Sequence, residues 1–308
     1  MSEPSASMKA ILDRLIVEDE GLVDPTTLPS DAGRALANLT NLRWNEALPD
    51  VAEARTVIID DMLARYIVPH DDCGTDAILH VHGGGWAFCS VATHEGAARR
   101  LAIQSRAPVL TFEYRLAPEH PYPCALEDLL DIWQARDRKR RWGIAGDSAG
   151  ANLALAGMLR LLDEGGDLPS CALLFYGVYG ADFTTSSYRE FANGPGLTRG
   201  KMQRFWDWYA PEDVRHLPSV TPLCADDVQL RALPPLYLNA AELDPLRSDT
   251  DALIHRLRTL GRDDRFDLFQ GVVHGFMQMG SELPEAQSAF NLAGEFFKQQ
   301  TAQYEHSK

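Results

Sequence analysis

The chain lacks the features that hold small secreted folds together. Its 308 residues include five cysteines, an odd number at wide spacing with no CxxC pair (Cys73, Cys89, Cys124, Cys171 and Cys224). That pattern argues against a disulfide framework or zinc knuckle and for free thiols in a reducing compartment. No apolar run reaches the roughly 18 residues that a membrane span needs. Residues 1–20, MSEPSASMKAILDRLIVEDE, interrupt their apolar stretch with acids and so lack the core of a signal peptide. A cytoplasmic location is the resulting expectation. Positive charge is also scarce, since 29 Lys and Arg against 44 Asp and Glu give a formal charge of −15. Such a chain repels phosphate backbones and anionic lipid unless its bases cluster. The one dense basic run, RDRKRR at 136–141, reads as a solvated helix end. Neither nucleic acid nor a membrane is an expected partner.

What is present is a chain of ordinary globular composition, 45% apolar and 24% charged, long enough to bury a large core. From residue 56 onward, β-rich apolar runs alternate with helical patterns. AILHVH (77–82), APVLTFEY (107–114), WGIAGD (142–147), CALLFYG (171–177) and PLYLNAA (235–241) are short and almost continuously apolar. Strands buried on both faces of a helix-covered parallel sheet read this way. LEDLLDIWQA (126–135) has acids in its first turn and an apolar stripe, and ANLALAGMLRLL (151–162) is apolar nearly all round, as a central buried helix must be. The alternation predicts an α/β fold with a doubly wound, mostly parallel open sheet. Two segments break the rhythm: residues 1–45, helical in character, and residues 178 to about 222, which hold Phe205, Trp206, Trp208 and Tyr209. An insertion of that length exceeds a plain crossover loop. The expected organisation is a core at 46–308 with a helical cap built from residues 1–45 and the insertion.

Gly146-Asp147-Ser148-Ala149-Gly150 matches G-x-S-x-G between an apolar strand and the buried helix. In that context the serine sits on a strained turn and projects its hydroxyl at the C-terminal edge of the sheet. A serine nucleophile needs a base, and the base an orienting acid. With the base expected after the serine in the chain, the candidates are His216, His255, His274 and His306. His216 falls in the insertion, His255 in the helical pattern DALIHRLRTL and His306 in a polar tail. His274 alone follows a strand-like run, FDLFQGVV, and opens a loop. For the acid, Asp244, Glu242 and Asp249 all come from the segment after PLYLNAA. Pro245 favours an extended loop at Asp244, but the residues alone leave the choice open.

His82-Gly83-Gly84-Gly85-Trp86 follows the strand AILHVH. Consecutive glycines there let backbone N–H groups, free of side chains, point at a developing oxyanion. His80 and His82 on alternate strand positions also suggest a zinc reading. Against it, no HExxH is present, and His94-Glu95 lacks its second histidine; no metal is expected.

Together, HGGGW (82–86), YRLAPEHPYP (114–123), GDSAGANLA (146–154), DPLRSD (244–249) and HGF (274–276) resemble the hormone-sensitive-lipase-like carboxylesterases of the α/β-hydrolase fold. MQRFWDWY (202–209) is similar to that family's aromatic cap helix. The resemblance implies a triad of Ser148, Asp244 and His274, which settles Asp244 over Glu242. It also implies oxyanion donors at the amides of Gly84, Gly85 and Ala149, and a supporting turn at YRLAPEHPYP. The activity implied is hydrolysis of a small-molecule ester through an acyl-enzyme, without metal or organic cofactor. Gly83, Trp86 and Phe88 are the expected substrate-binding residues, and the aromatics predict a narrow pocket for short acyl groups. A formamidase, amidase or lactonase would use the same residues, and a non-catalytic binding homologue is the remaining alternative. Oligomeric state stays open, with a homodimer through exposed helices or an edge strand as one option.

Overall fold

The computed structural model describes residues 3–305. Two helices come first, α1 (Ala6–Glu18) and α2 (Ser30–Leu42). An antiparallel hairpin follows, β1 (Glu53–Ile59) and β2 (Met62–Val68). The alternating region then runs β3 (Asp76–Val81), α3 (Val91–Ser105), β4 (Val109–Phe112), α4 (Cys124–Ala135), β5 (Arg141–Asp147), α5 (Ala149–Glu164) and β6 (Ala172–Phe175). A long excursion contains α6 (Ser186–Glu190), α7 (Arg199–Tyr209) and α8 (Asp227–Ala232). The chain returns as β7 (Leu236–Leu243), α9 (Arg247–Thr259), β8 (Arg265–Val273) and α10 (Pro284–Glu305).

The strands form one eight-stranded sheet in the order β1-β2-β4-β3-β5-β6-β7-β8. β2 pairs antiparallel with both β1 and β4, and every pair from β4 to β8 is parallel. This is the doubly wound, mostly parallel sheet that the apolar runs predict. Alternation within each run divides the core. Leu79, Leu110, Leu174 and Leu238 pack with Leu126 and Leu129 of α4, Leu153 and Leu155 of α5 and Leu253 of α9. Their sequence neighbours Ile78, Val109, Leu173 and Tyr237 face the other way, against Leu101 of α3 and Phe290 and Phe297 of α10.

The hairpin at 53–68 is absent from the sequence expectation for a physical reason. β1 lies at the sheet edge with no residue fully buried, so it carries no continuous apolar run. The basic run 136–141 starts at the helix end with residues 137–139 exposed, as expected, and continues into the next strand. Arg136 ends α4, but Arg141 begins β5, and the run is held in ion pairs: Arg138 with Asp167, Arg140 with Asp72 and Arg141 with Asp76.

Asn152, fully buried on α5, fastens the excursion. Its side-chain N–H groups donate to Val178 O at 2.9 Å and Val220 O at 3.0 Å. One amide thus ties both ends of the segment 178–220 to the helix behind the G-x-S-x-G turn. Asn152→Ala would leave two buried carbonyls without these partners. We expect it to lower the unfolding free energy in urea by about 2–4 kcal/mol; a loss below about 0.5 kcal/mol would show that this fastening is not stabilising.

Candidate active site

Ser148 stands between β5 and α5 with φ 54° and ψ −120°, a strained conformation for a residue with a side chain. The turn closes only because Gly150 lets α5 approach β3: a Cβ there would lie 2.0 Å from Val81 O. The turn directs the serine hydroxyl at His274, whose Nε2 is 2.9 Å from Ser148 Oγ. His274 follows β8, and its Nδ1 is 2.7 Å from Asp244 Oδ2, just past β7. Asp244 is buried, and its second oxygen accepts the Leu246 N–H at 2.8 Å. Hydroxyl, imidazole and carboxylate form one line of hydrogen bonds, an arrangement that can move a proton from oxygen to nitrogen and stabilise the resulting imidazolium.

The competing candidates are engaged elsewhere. Glu242 accepts the Gly271 N–H at 2.8 Å, bridging β7 and β8. Asp249, in the first turn of α9, accepts from Tyr179 N at 3.0 Å and Gly180 N at 2.8 Å. His216 and His255 are exposed, and His306 lies outside the described residues. Cys89 lines the same cavity as Ser148, but burial, with Asp147 nearby, pushes its thiol up to about 12, so it does not supply a thiolate at neutral pH.

The glycine loop runs beside Ser148. Gly84 has φ 116°, and a Cβ there would lie 2.1 Å from Phe88 O, so no other residue fits this turn. The loop is held from behind: Tyr114 Oη donates to His82 O at 2.9 Å, and Ala117 N donates to Trp86 O at 2.9 Å. Both residues belong to YRLAPEHPYP. Arg34 of α2 reaches the same place, donating to Ala87 O and Ala117 O and pairing with Glu119.

A cavity of about 580 Å³ opens over Ser148 and His274. Gly84, Gly85 and Phe88 line it, together with Met202 and Phe205 of α7. Two expected contacts require correction. Gly83 is buried, its N–H donating to Asp147 Oδ1 at 3.0 Å and its carbonyl meeting His82 Nδ1 at 2.8 Å. Trp86 is also fully buried, stacked on Tyr209 at 4.2 Å and edge-on to Trp206 at 5.0 Å. It packs α7 onto the glycine loop and does not face the cavity. Other cavity residues carried no motif. Leu22, Val23, Leu36 and Trp44 of the N-terminal segment line it, as do His94 and Asp147. Among the described residues, no group of three or more His, Cys, Asp or Glu is arranged to hold a metal ion.

An α/β-hydrolase-fold family model matches residues 78–278, about two-thirds of the chain. The chain belongs to the α/β-hydrolase family. Its place in the hormone-sensitive-lipase-like branch follows from the same match and from its relatives. It is 33% identical over 261 residues to carboxylesterase NlhH of Mycobacterium tuberculosis, covering 79% of this chain and 81% of that one. It is 32% identical over 260 residues to esterase LipI of the same organism, covering 82% and 75%. Among solved structures, a fungal esterase from Rhizomucor miehei superposes with TM-score 0.89 at 27% identity over the full length of both chains. A thermostable esterase from Pseudomonas putida superposes with TM-score 0.86 at 26% identity, covering 97% and 98%.

Asp249 gives the site region a pH signature. Burial raises its carboxyl from 3.8 to about 7, against the lowering effect of the Gly180 and Tyr179 amides, and Asp244 and Asp182 add to the rise. A carboxyl with a raised folded pKa holds its proton more tightly in the native state. Stability is therefore fully present below about pH 4 and is lost as pH rises towards about 7. Relative to Asp249→Asn, the wild type should lose about 1.4 kcal/mol of unfolding free energy per pH unit across that window. Parallel stability curves for the two proteins would refute the shift.

Proposed function

We propose that this protein is a serine carboxylester hydrolase in which Ser148 is the nucleophile, His274 the general base and Asp244 its orienting acid. The carboxylesterase relatives, at 32 to 33% identity, support ester hydrolysis as the reaction class. The observation that carries the mechanism is the 2.9 Å and 2.7 Å series from Ser148 Oγ through His274 to Asp244, opening on the cavity. His274 Nε2 takes the hydroxyl proton as Ser148 Oγ attacks the ester carbonyl. The buried Asp244 carboxylate fixes the proton on Nδ1 and stabilises the imidazolium. The amides of Gly84, Gly85 and Ala149 receive the oxyanion; among the described residues none of the three is spent on another backbone or side-chain acceptor. The imidazolium protonates the leaving alcohol, and a water activated by His274 then releases the acid.

The finer part of this reading is a preference for small esters with short acyl groups. Beside the glycine loop, Phe88 and Phe205 meet edge to face at 5.5 Å. A Cβ on Gly85 would strike the Phe205 ring at 2.4 Å, so α7 lies directly on the loop. An acyl chain bound at Ser148 therefore meets aromatic rings close to the carbonyl carbon.

Hydrolysis of p-nitrophenyl acetate, butyrate, octanoate and palmitate by wild type, Ser148→Ala and Asp244→Asn tests both parts. Wild type should favour acetate and butyrate, Ser148→Ala should lose all measurable turnover, and Asp244→Asn should lose about 10³–10⁴-fold in kcat. Retained activity in Ser148→Ala would overturn the mechanism, and a maximum at palmitate would overturn the short-acyl preference alone.

A further inference from the structure

Directly behind the nucleophile lies a polar cluster that the proposed chemistry does not use. Asp147, 6% exposed, carries a buried carboxylate. One oxygen accepts the Gly83 N–H at 3.0 Å. The other lies 3.4 Å from Nε2 of His94, in the first turn of α3. His80 Nε2 stands 3.7 Å from the first oxygen, and His82 Nε2 faces Glu113 at 3.8 Å. The other nitrogen of His94 is accounted for, with Nδ1 2.9 Å from Thr93 Oγ1.

A carboxylate removed from water needs a partner that favours its charge. Burial acts to raise the Asp147 pKa, yet the group sits below its ordinary value because His94 foremost, then His80 and His82, favour the anion. Burial also drives His80 down to about 4 and His82 to about 3, so both are uncharged at neutral pH. His94 is then the group that answers Asp147. A carboxylate only accepts, so the ring nitrogen facing it must carry the proton.

We propose that His94 is a positioning residue for the oxyanion loop: it holds the Asp147 carboxylate against the Gly83 N–H and thereby keeps the Gly84 and Gly85 amides facing the cavity. This rests on the reading of Gly84 and Gly85 as oxyanion donors. The linkage is short. Asp147 is bonded to Ser148 in the chain and to Gly83 through space, so one side chain sets the glycine loop relative to the nucleophile. The fit leaves little slack, because a Cβ on Gly83 would lie 2.5 Å from Asp147 Oδ2. Removing His94 takes away the ring N–H that faces Asp147 Oδ2, so the carboxylate keeps the Gly83 N–H on one oxygen but is no longer held from the other side. Misplacing a donor loop in this way weakens transition-state binding more than substrate binding.

The test compares wild type, His94→Ala and His94→Gln on p-nitrophenyl butyrate, with active sites counted by a fluorophosphonate and affinity measured for a trifluoromethyl ketone that forms a tetrahedral adduct. In His94→Ala, kcat per titrated site should fall about 10- to 100-fold, less than outright loss of a donor. KM should stay within about twofold, and the ketone Ki should rise by the factor that kcat/KM loses. His94→Gln keeps an N–H where Nε2 was and should recover most of the loss. If His94→Ala does not fold, His94→Leu takes its place, keeping bulk without the donor. Unchanged kcat per site, or equal losses in KM and Ki with no rescue by glutamine, would overturn the proposal. Failure of the underlying mechanism would look different: the wild type would not titrate with the fluorophosphonate, or Ser148→Ala would remain active.

Discussion

Where β3 and β5 run side by side, Val81 pairs with Gly146, and that parallel register delivers two loops to the same edge of the sheet. One is the glycine loop after β3, the other the tight turn carrying Ser148. Parallel neighbours end at the same edge, so their outgoing loops are adjacent by construction. The turn must then clear the end of β3, which leaves room at Gly150 for a hydrogen atom only. Ser148 accepts a strained φ as the consequence, and the buried apolar helix α5 holds the strain in place. β7 and β8 end at the same edge and bring Asp244 and His274. The close approach of α5 to β3 therefore fixes the position to which the other site residues are referred.

The segments that cover this edge are joined to it through buried polar groups. Asn152 takes the carbonyls at both ends of the excursion, 178 and 220. Asp249 takes two amides at its start, and Ser187 donates to Pro245 O at 2.6 Å, next to Asp244. Each acceptor or donor would be costly to bury alone. Apolar contacts tolerate sliding, whereas these bonds specify one position, so the loop carrying Asp244 and the excursion keep a single relative placement. The aromatic stack of Trp86 on Tyr209 then adds area without having to provide direction.

Much of this was legible in the sequence because it is imposed by backbone geometry. Continuous apolar runs marked the parallel strands, and glycines marked positions where a Cβ cannot fit. A serine between them could sit only at the turn. Choosing the acid was harder, because Glu242, Asp244 and Asp249 lie within one short segment. Glu242 and Asp249 bind backbone amides and not the imidazole, a role that has no spacing signature. Trp86 was misread for a related reason. Its neighbours Gly85 and Phe88 do face the cavity, but the turn at Gly84 sends the indole into the core. Side-chain direction in an irregular loop follows from local φ and ψ values that residue identity does not reveal.

The cavity wall was the least legible part, and its physical basis differs from that of the reacting groups. The turn at Ser148 and the glycine loop are constrained by close backbone approaches at Gly150 and Gly84, where a single added carbon is excluded. Leu22, Val23, Leu36 and Phe205 meet the cavity with side chains carried on segments outside the sheet. Leu22 and Val23 are about half exposed, at 47% and 54%, so few neighbours restrict their size. Substitutions there would change the space offered to a substrate without touching the register of β3 and β5. The reacting groups and the cavity wall at Leu22 and Val23 are thus held by separate sets of contacts, whereas Phe205 belongs to both because it packs on Gly85, and only the first set leaves a spacing that can be read along the chain.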